Sequence, residues 1–315
     1  LEISRRKPIQ GIRLTNETQR QGLIVKAQSG FFTVETGEGF VICQLRGKLK
    51  QGRATGDIAA LGDRVHITVL TDGSGVIEKV EERQRSIVRL DPRPQGMYQQ
   101  ILLANADQAV FVFACANPSP KLRMLDRFLV ITEKQKIPAV VIANKIDLIQ
   151  NPRELFRVYE SLGYRLIYTS TKTGEGLDEL KSQLSGKISA LAGPSGVGKS
   201  SLLNVIQPGL GLAVNEISAA MKKGRHTTVT RQLFALDGGG YVADTPGWKS
   251  LALWDTEAEE MDAYFPELRD LVPHCQFSDC THKHEPGCAV LAALKAGTIH
   301  PERYDSYLRL RAGQE

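Results

Sequence analysis

The chain has 315 residues, 42% of them hydrophobic, with 40 Lys/Arg against 35 Asp/Glu, a net charge of +5 and a pI near 8.9. That length allows two or three cores of ordinary globular type, and no apolar run approaches the roughly 20 residues that span a bilayer. The opening Leu1-Glu2-Ile3-Ser4-Arg5-Arg6-Lys7 lacks the apolar centre of a secretion signal, so a cytoplasmic location is expected, with further residues upstream because the first is not Met.

Charge is unevenly spread. Residues 1–56 hold 10 Lys/Arg against 4 Asp/Glu, whereas residues 251–315 hold 6 against 12. A basic N-terminal part suits a nucleic-acid surface, and equally a solvated loop-rich one.

Residues 20–82 read as short strands: Phe31–Thr36, Phe40–Leu45, Arg64–Leu70 and Val76–Val80 are rich in β-branched and aromatic residues, and Gly-containing turns separate them. About five strands in about 60 residues suit an OB-type barrel. The loop Arg46-Gly47-Lys48-Leu49-Lys50-Gln51-Gly52-Arg53 brings four cations together. From Gln108 the period changes. Strands are predicted at 109–114, 138–143, 165–168, 187–192, 231–237 and 241–243. Helices are predicted from Ser119/Pro120 to about Gln135, over 152–162, over 176–184 and from Lys199. That alternation predicts a mainly parallel, doubly wound sheet. Residues 251–315 read as mostly helical around an irregular Cys/His loop, with little core. Cys43 and Cys115, each alone in an apolar stretch, read as buried core thiols.

Gly193-Pro194-Ser195-Gly196-Val197-Gly198-Lys199-Ser200 fits G-x-x-x-x-G-K-S at a strand-to-helix junction, with Ser201 following. Its backbone amides and helix N-terminus suit phosphate; Lys199 would reach the β- and γ-phosphates and Ser200 would hold Mg²⁺. Asp244-Thr245-Pro246-Gly247 follows a strand. Asp244 would hold Mg²⁺ through a water, and the Gly247 amide would meet the γ-phosphate. Asn144-Lys145-Ile146-Asp147 and Thr169-Ser170-Thr171-Lys172 each end a strand. The Asp147 carboxylate can accept from guanine N1 and N2, and the backbone after Thr169 can donate to O6, so GTP is favoured over ATP.

Gly224-Arg225-His226-Thr227-Thr228 occupies the first-switch position, where Thr228, or else Thr227, would close on Mg²⁺. Trp248 stands where many GTPases carry a water-orienting Gln, and indole cannot do that work. His226 is the nearest candidate for the missing catalytic group. Cys275-x4-Cys280-x-His282-x5-Cys288 supplies a closed Cys₃His set suited to one structural Zn²⁺, with His274 and His284 as competing imidazoles.

The order of these motifs is permuted: the base-reading pair precedes the phosphate loop. With the N-terminal barrel and the Cys₃His segment, this order resembles the RsgA family of bacterial small-subunit-dependent GTPases. The resemblance covers about residues 20–312. It implies a barrel of OB type over 1–82 that binds RNA, a circularly permuted G domain over 83–250 and a helical zinc-binding domain over 251–315. It also implies GTP and GDP as ligands, binding to the small ribosomal subunit and its rRNA, and slow GTP hydrolysis that the subunit stimulates during late maturation. By the same resemblance His226 activates the attacking water. A monomer is expected. The residues also leave open an RNA-binding module in which GTP is a sensing ligand with little turnover.

Overall fold

The computed structural model describes residues 18–50, 56–93, 96–210, 231–244 and 256–314. Five strands close the barrel: β1 (Thr18–Gln28), β2 (Phe31–Thr36), β3 (Gly39–Leu45), β4 (Arg64–Val69) and β5 (Gly75–Val80). They run in the order β1-β2-β3-β5-β4, and β1 pairs with β4 to complete the ring. Alternation along β2 and β3 turns Phe32, Val34, Val41 and Cys43 inward, where they meet Ile24, Val65, Ile67 and Ile77. The long β1 lies upstream of the first strand legible in the sequence, because its first half is Thr-Gln-Arg-Gln and shows no apolar alternation. At Gly22 a Cβ would sit 2.4 Å from the Glu35 carbonyl oxygen, so the strand can pass its neighbour only as glycine.

A hairpin, β6 (Ser86–Arg93) and β7 (Gly96–Ala104), follows the barrel and forms a sheet of its own. No element was expected there, since Asp91-Pro92-Arg93-Pro94 has the composition of a linker. Tertiary contacts hold it. The Asp57 carboxylate accepts from the Tyr98 hydroxyl and the Ile101 amide, both at 2.8 Å. The Gln135 side chain bonds both backbone groups of Val88 at 3.2 Å.

The second sheet comprises β8 (Gln108–Ala114), β9 (Ala139–Asn144), β10 (Arg165–Thr169), β11 (Ile188–Ala192), β12 (Arg231–Ala235) and β13 (Tyr241–Asp244). Its order is β10-β9-β8-β11-β13-β12, parallel except for β12. Both faces are covered, as the continuous apolar strands require. Phe111 and Phe113 of β8 face Leu125 and Phe128 of α1 (Leu122–Lys134) and Phe156 of α2 (Pro152–Ser161). Val110 and Val112 face the opposite layer, where α3 (Leu177–Leu184) and α4 (Lys199–Ile206) bring Leu180, Leu184, Leu202 and Leu203. Helix α1 begins at Leu122 behind Lys121, with no side-chain cap, so Ser119 does not cap it.

Two joints connect these units. β12 pairs with β1 through Lys26–Gln232 and Ala27–Arg231, so one sheet runs from the barrel into the second domain. Val25, Leu61, Ile87 and Leu103 also share a core with Phe111 and Phe128.

The C-terminal part contains α5 (Pro266–Arg269), α6 (Ala289–Lys295) and α7 (Pro301–Arg311). It has more core than its composition suggested: Met261, Phe265, Leu268, Val290, Ile299, Tyr307 and Leu310 are buried together, along with Val130 of α1. Phe265 and Tyr307 meet edge to face at 5.7 Å. Among the described residues no helix is long and apolar enough to cross a membrane.

Candidate nucleotide site and metal centre

The phosphate-loop segment leaves β11 and enters α4 at the carboxyl edge of the parallel strands, where open α/β sheets bind ligands. Gly193 and Gly198 have φ of 152° and 96°, and each is pressed against a neighbour. A Cβ on Gly193 would lie 2.2 Å from the Val112 carbonyl oxygen, and one on Gly198 would lie 2.5 Å from Asn144 Nδ2. Pro194 and Val197 are buried and anchor the loop, while Ser195 and Gly196 form its exposed crest. Lys199 folds back over the loop and donates to the carbonyls of Gly193 and Pro194 at 2.9 and 2.8 Å. Ser200 is buried at the start of α4 and Ser201 is half-buried beside it.

The tips of β9 and β10 bring the other two motifs to the same edge. Asn144 is a brace. Its Nδ2 donates to the Val197 carbonyl at 2.8 Å, and its Oδ1 accepts from the Thr169 hydroxyl at 3.0 Å. The two halves of the site, separated in the chain, are thereby tied by one buried amide. Lys145, in left-handed backbone at φ 62°, donates to the carbonyls of Gly196, at 2.7 Å, and Asn117. Asp147 is exposed at the rim, and the buried Ser170 hydroxyl aims its carboxylate by donating at 2.7 Å. The same hydroxyl accepts from the amides of Lys172 and Thr173 at 3.2 Å, which curls the loop around Thr171. A carboxylate fixed in this way can accept from the two donors on the N1–N2 edge of guanine.

The second cluster lies in the C-terminal part. The ligand atoms of Cys275, Cys280, His282 and Cys288 all lie within 4.8 Å of one another. His282 Nδ1 is 3.3 Å from Cys288 Sγ and 3.6 Å from Cys275 Sγ, and those sulfurs are 3.9 Å apart. Three soft sulfurs and one imidazole nitrogen at such spacing can hold a metal ion, and leave no open position for substrate. His274 and His284 are exposed and outside the cluster. His282 Nε2 meets Asp262 Oδ2 at 3.1 Å, which leaves Nδ1 as the ligating atom. Glu285 gathers the loop by accepting from the amides of Thr281, Lys283 and His284. The Thr281 hydroxyl, with the amides of His284 and Thr281, holds the Glu285 carboxyl well below the usual carboxylate range. Burial pushes the Cys280 thiol up to about 12.

Two family models match the chain: that of the RsgA GTPase over residues 80–254, and that of the RsgA N-terminal domain over residues 21–77. This chain belongs to the RsgA GTPase family. The small ribosomal subunit biogenesis GTPase RsgA of Moorella thermoacetica is 43% identical over 293 residues, 93% of this chain and 96% of that one. The protein of the same name from Thermotoga maritima is 43% identical over 300 residues, with the same two coverages. The crystal structure of YjeQ from Thermotoga maritima superposes with a TM-score of 0.75 at 39% identity, covering 94% of this chain and 99% of that one. YloQ, described as a circularly permuted GTPase, gives 0.72 at 31% identity, covering 96% and 98%.

Membership makes the chain a GTPase with a circularly permuted fold, and Mg²⁺ accompanies GTP in such enzymes. In this RsgA-family protein His226, Thr227, Thr228, Gly247 and Trp248 lie outside the described residues, as does the side chain of Asp244, whose backbone ends β13 beside Leu191. Two buried polar supports had no signal in the sequence. Asp262 sits 20 residues from the histidine it orients, in a run of acidic residues. Arg303 is the other. It is 1% exposed and bonds Asp126 of α1 at 2.7 Å and Glu267 at 2.6 Å. Asp126 also accepts from the Tyr159 and Ser306 hydroxyls at 2.7 and 2.5 Å, so one buried polar network joins α1, α2 and α7. Burial opposes the Arg303 charge, but the bonds from Glu267 and Asp126 outweigh it and raise its pKa further.

The basic loop is partly neutralised, because Arg46 and Lys48 share Glu78, the latter at 3.8 Å. Cys43 and Cys115 are core thiols, each pushed up to about 11 by burial.

Proposed function

We propose that this GTPase binds the small ribosomal subunit and assists its late maturation, with slow hydrolysis that the subunit accelerates. One observation carries the reading of the site. Asn144, in a motif that precedes the phosphate loop by some fifty residues, is hydrogen-bonded to that loop at Val197. Base recognition and phosphate recognition are therefore built as one unit. The names of the relatives support the ribosomal role.

In this reading Asp147 takes guanine N1 and N2, and the backbone of Thr169, Ser170 and Thr171 lies at O6. The backbone of Gly193 to Gly198 wraps the phosphates. Lys199 exchanges its two carbonyl partners for phosphate oxygens, one set of acceptors for another. Ser200, Thr228 and Asp244 would hold Mg²⁺, which would supply charge neutralisation at the phosphates. Gly247 and Ser201 complete the cradle. His226 orients the water, because Trp248 has no group that accepts its proton. Cys275, Cys280, His282 and Cys288 hold one structural Zn²⁺. We take residues 1–82 as the RNA-binding barrel, 83–250 as the G domain and 251–315 as the zinc domain of a cytoplasmic monomer.

The test is steady-state GTP turnover titrated with purified small and large subunits. Acceleration by the small subunit alone is expected. Turnover that neither subunit changes would make GTP a sensing ligand instead.

A further inference from the structure

Between α1, α2 and α7 the fold leaves a cleft of about 810 Å³. It lies where helices of the second sheet meet the C-terminal part, and no residue of the nucleotide motifs or of the Cys₃His cluster lines it. Small-ligand sites favour such junctions, and their volumes run from roughly 300 to 1,000 Å³.

The floor of the cleft is polar and already satisfied. Asp126 accepts there from Arg303, Tyr159 and Ser306, so it asks nothing of an occupant. The walls are apolar. Leu122 and Met124 come from α1, Val158 from α2 and Leu310 from α7, with the Tyr159 ring between them. Leu122, Met124 and Val158 are only half-buried: each packs on the neighbouring core and also borders the cleft. An apolar body seated on them would finish covering surface that the fold leaves wet.

The rim sets the sign of that body's polar group. Lys121, Arg123, Arg127 and Arg309 stand there against two carboxylates, Glu302 and Asp305. Asp305 is divided between Arg123 at 3.1 Å and Arg309 at 3.0 Å. One carboxylate between two guanidiniums leaves further N–H groups of both for a second anion.

We infer that this cleft is a binding site for a small organic anion, with an apolar ring-sized body on Leu122, Met124, Val158 and Tyr159 and its carboxylate or sulfonate on Arg123 and Arg309. Such an occupant touches α1 and α2 on one side and α7 on the other. It is bound only while the C-terminal part is docked, so occupancy favours the docked arrangement.

The probe is 8-anilinonaphthalene-1-sulfonate, whose fluorescence rises in apolar surroundings, titrated into the full chain loaded with GDP and Mg²⁺. N-phenyl-1-naphthylamine, the same rings without the sulfonate, is the control. Methionine labelled with ¹³C at its methyl group locates the probe, since Met124 lines the cleft and Met261 is buried in the C-terminal core. Met124→Leu assigns the signal.

Saturable binding is expected, with a shift of the Met124 methyl and none of Met261. The neutral control should bind about tenfold more weakly or worse, the usual loss when a charged hydrogen-bond partner is removed. Arg123→Glu should weaken the sulfonate by a similar factor and leave the neutral control unchanged. Val158→Trp, which fills the slot, should weaken both. Unchanged GDP affinity shows that each variant is folded, and Arg309→Glu gives an independent reading should Arg123→Glu fail that check.

A fluorescence gain without a Met124 shift would put the probe on another face and overturn the proposal. So would binding that never saturates, or full binding of both compounds by Val158→Trp. Equal affinity for the neutral control, or full sulfonate binding by Arg123→Glu and Arg309→Glu, would leave an apolar cleft with no preference for an anion, and would overturn it too.

Discussion

At the scale of single residues the nucleotide site is specified by side chains that hold other side chains. Asp147 is the proposed reader of the base, and the Ser170 hydroxyl sets its direction. Asp147→Asn is expected to weaken GTP by roughly 10²-fold, since two hydrogen bonds to a charged group are lost. It should shift preference to xanthosine triphosphate, whose O2 suits an amide donor. Competition binding with the two nucleotides checks this, and unchanged GTP affinity would remove Asp147 from the base. For hydrolysis, His226→Ala should bind GTP nearly normally while its subunit-stimulated turnover falls roughly 10²-fold or more, the usual loss for a positioned proton-transfer group. Wild-type stimulated turnover would move the catalytic role to the ribosome or to another residue.

At the scale of elements, the C-terminal part has two polar centres, a Cys₃His cluster that could hold a metal ion and a buried ionic network. Cys288 links them to local structure, since its Sγ accepts from the Leu291 amide and caps α6 while facing the other ligands. Cys280→Ser should lower bound zinc from one per chain to near zero. It should also raise hydrogen exchange across residues 256–314 and leave GTP binding intact; elemental analysis of the unchelated wild type with no zinc would refute the assignment. Arg303 is different in kind. It enters the core charged because Asp126 and Glu267 are already there, and removing it strands two buried carboxylates. Arg303→Ala should cost about 3–5 kcal/mol in denaturant unfolding, whereas removing the exposed Arg157–Glu154 pair should cost little. Equal effects would mean that the network adds nothing beyond a surface ion pair.

At the scale of the whole molecule, β1 pairs with β12, and a common core runs from Leu61 and Ile87 to Phe111 and Phe128. Barrel and second sheet are therefore expected to unfold in one calorimetric transition; a barrel that melts separately at lower temperature would contradict this. The same scale separates what was legible in the chain from what was not. The phosphate loop, both base motifs, the Cys₃His spacing and most strands could be read directly. Each is a local pattern in which glycine, a hydroxyl or a run of β-branched residues answers a requirement of its own few neighbours. The permuted order was legible too, because order is a property of the chain. The β6–β7 hairpin, the pairing of β1 with β12, Asp262 behind His282 and Arg303 between Asp126 and Glu267 were not. Their partners lie 20 to more than 200 residues away. A buried charge or a strand without alternation looks like a surface loop until the fold brings up the partner that satisfies it. The local pattern of each motif was thus written in the sequence, and how the domains are joined was decided only by the packed structure, because hydrogen-bond and charge satisfaction in a core depends on which distant groups arrive there.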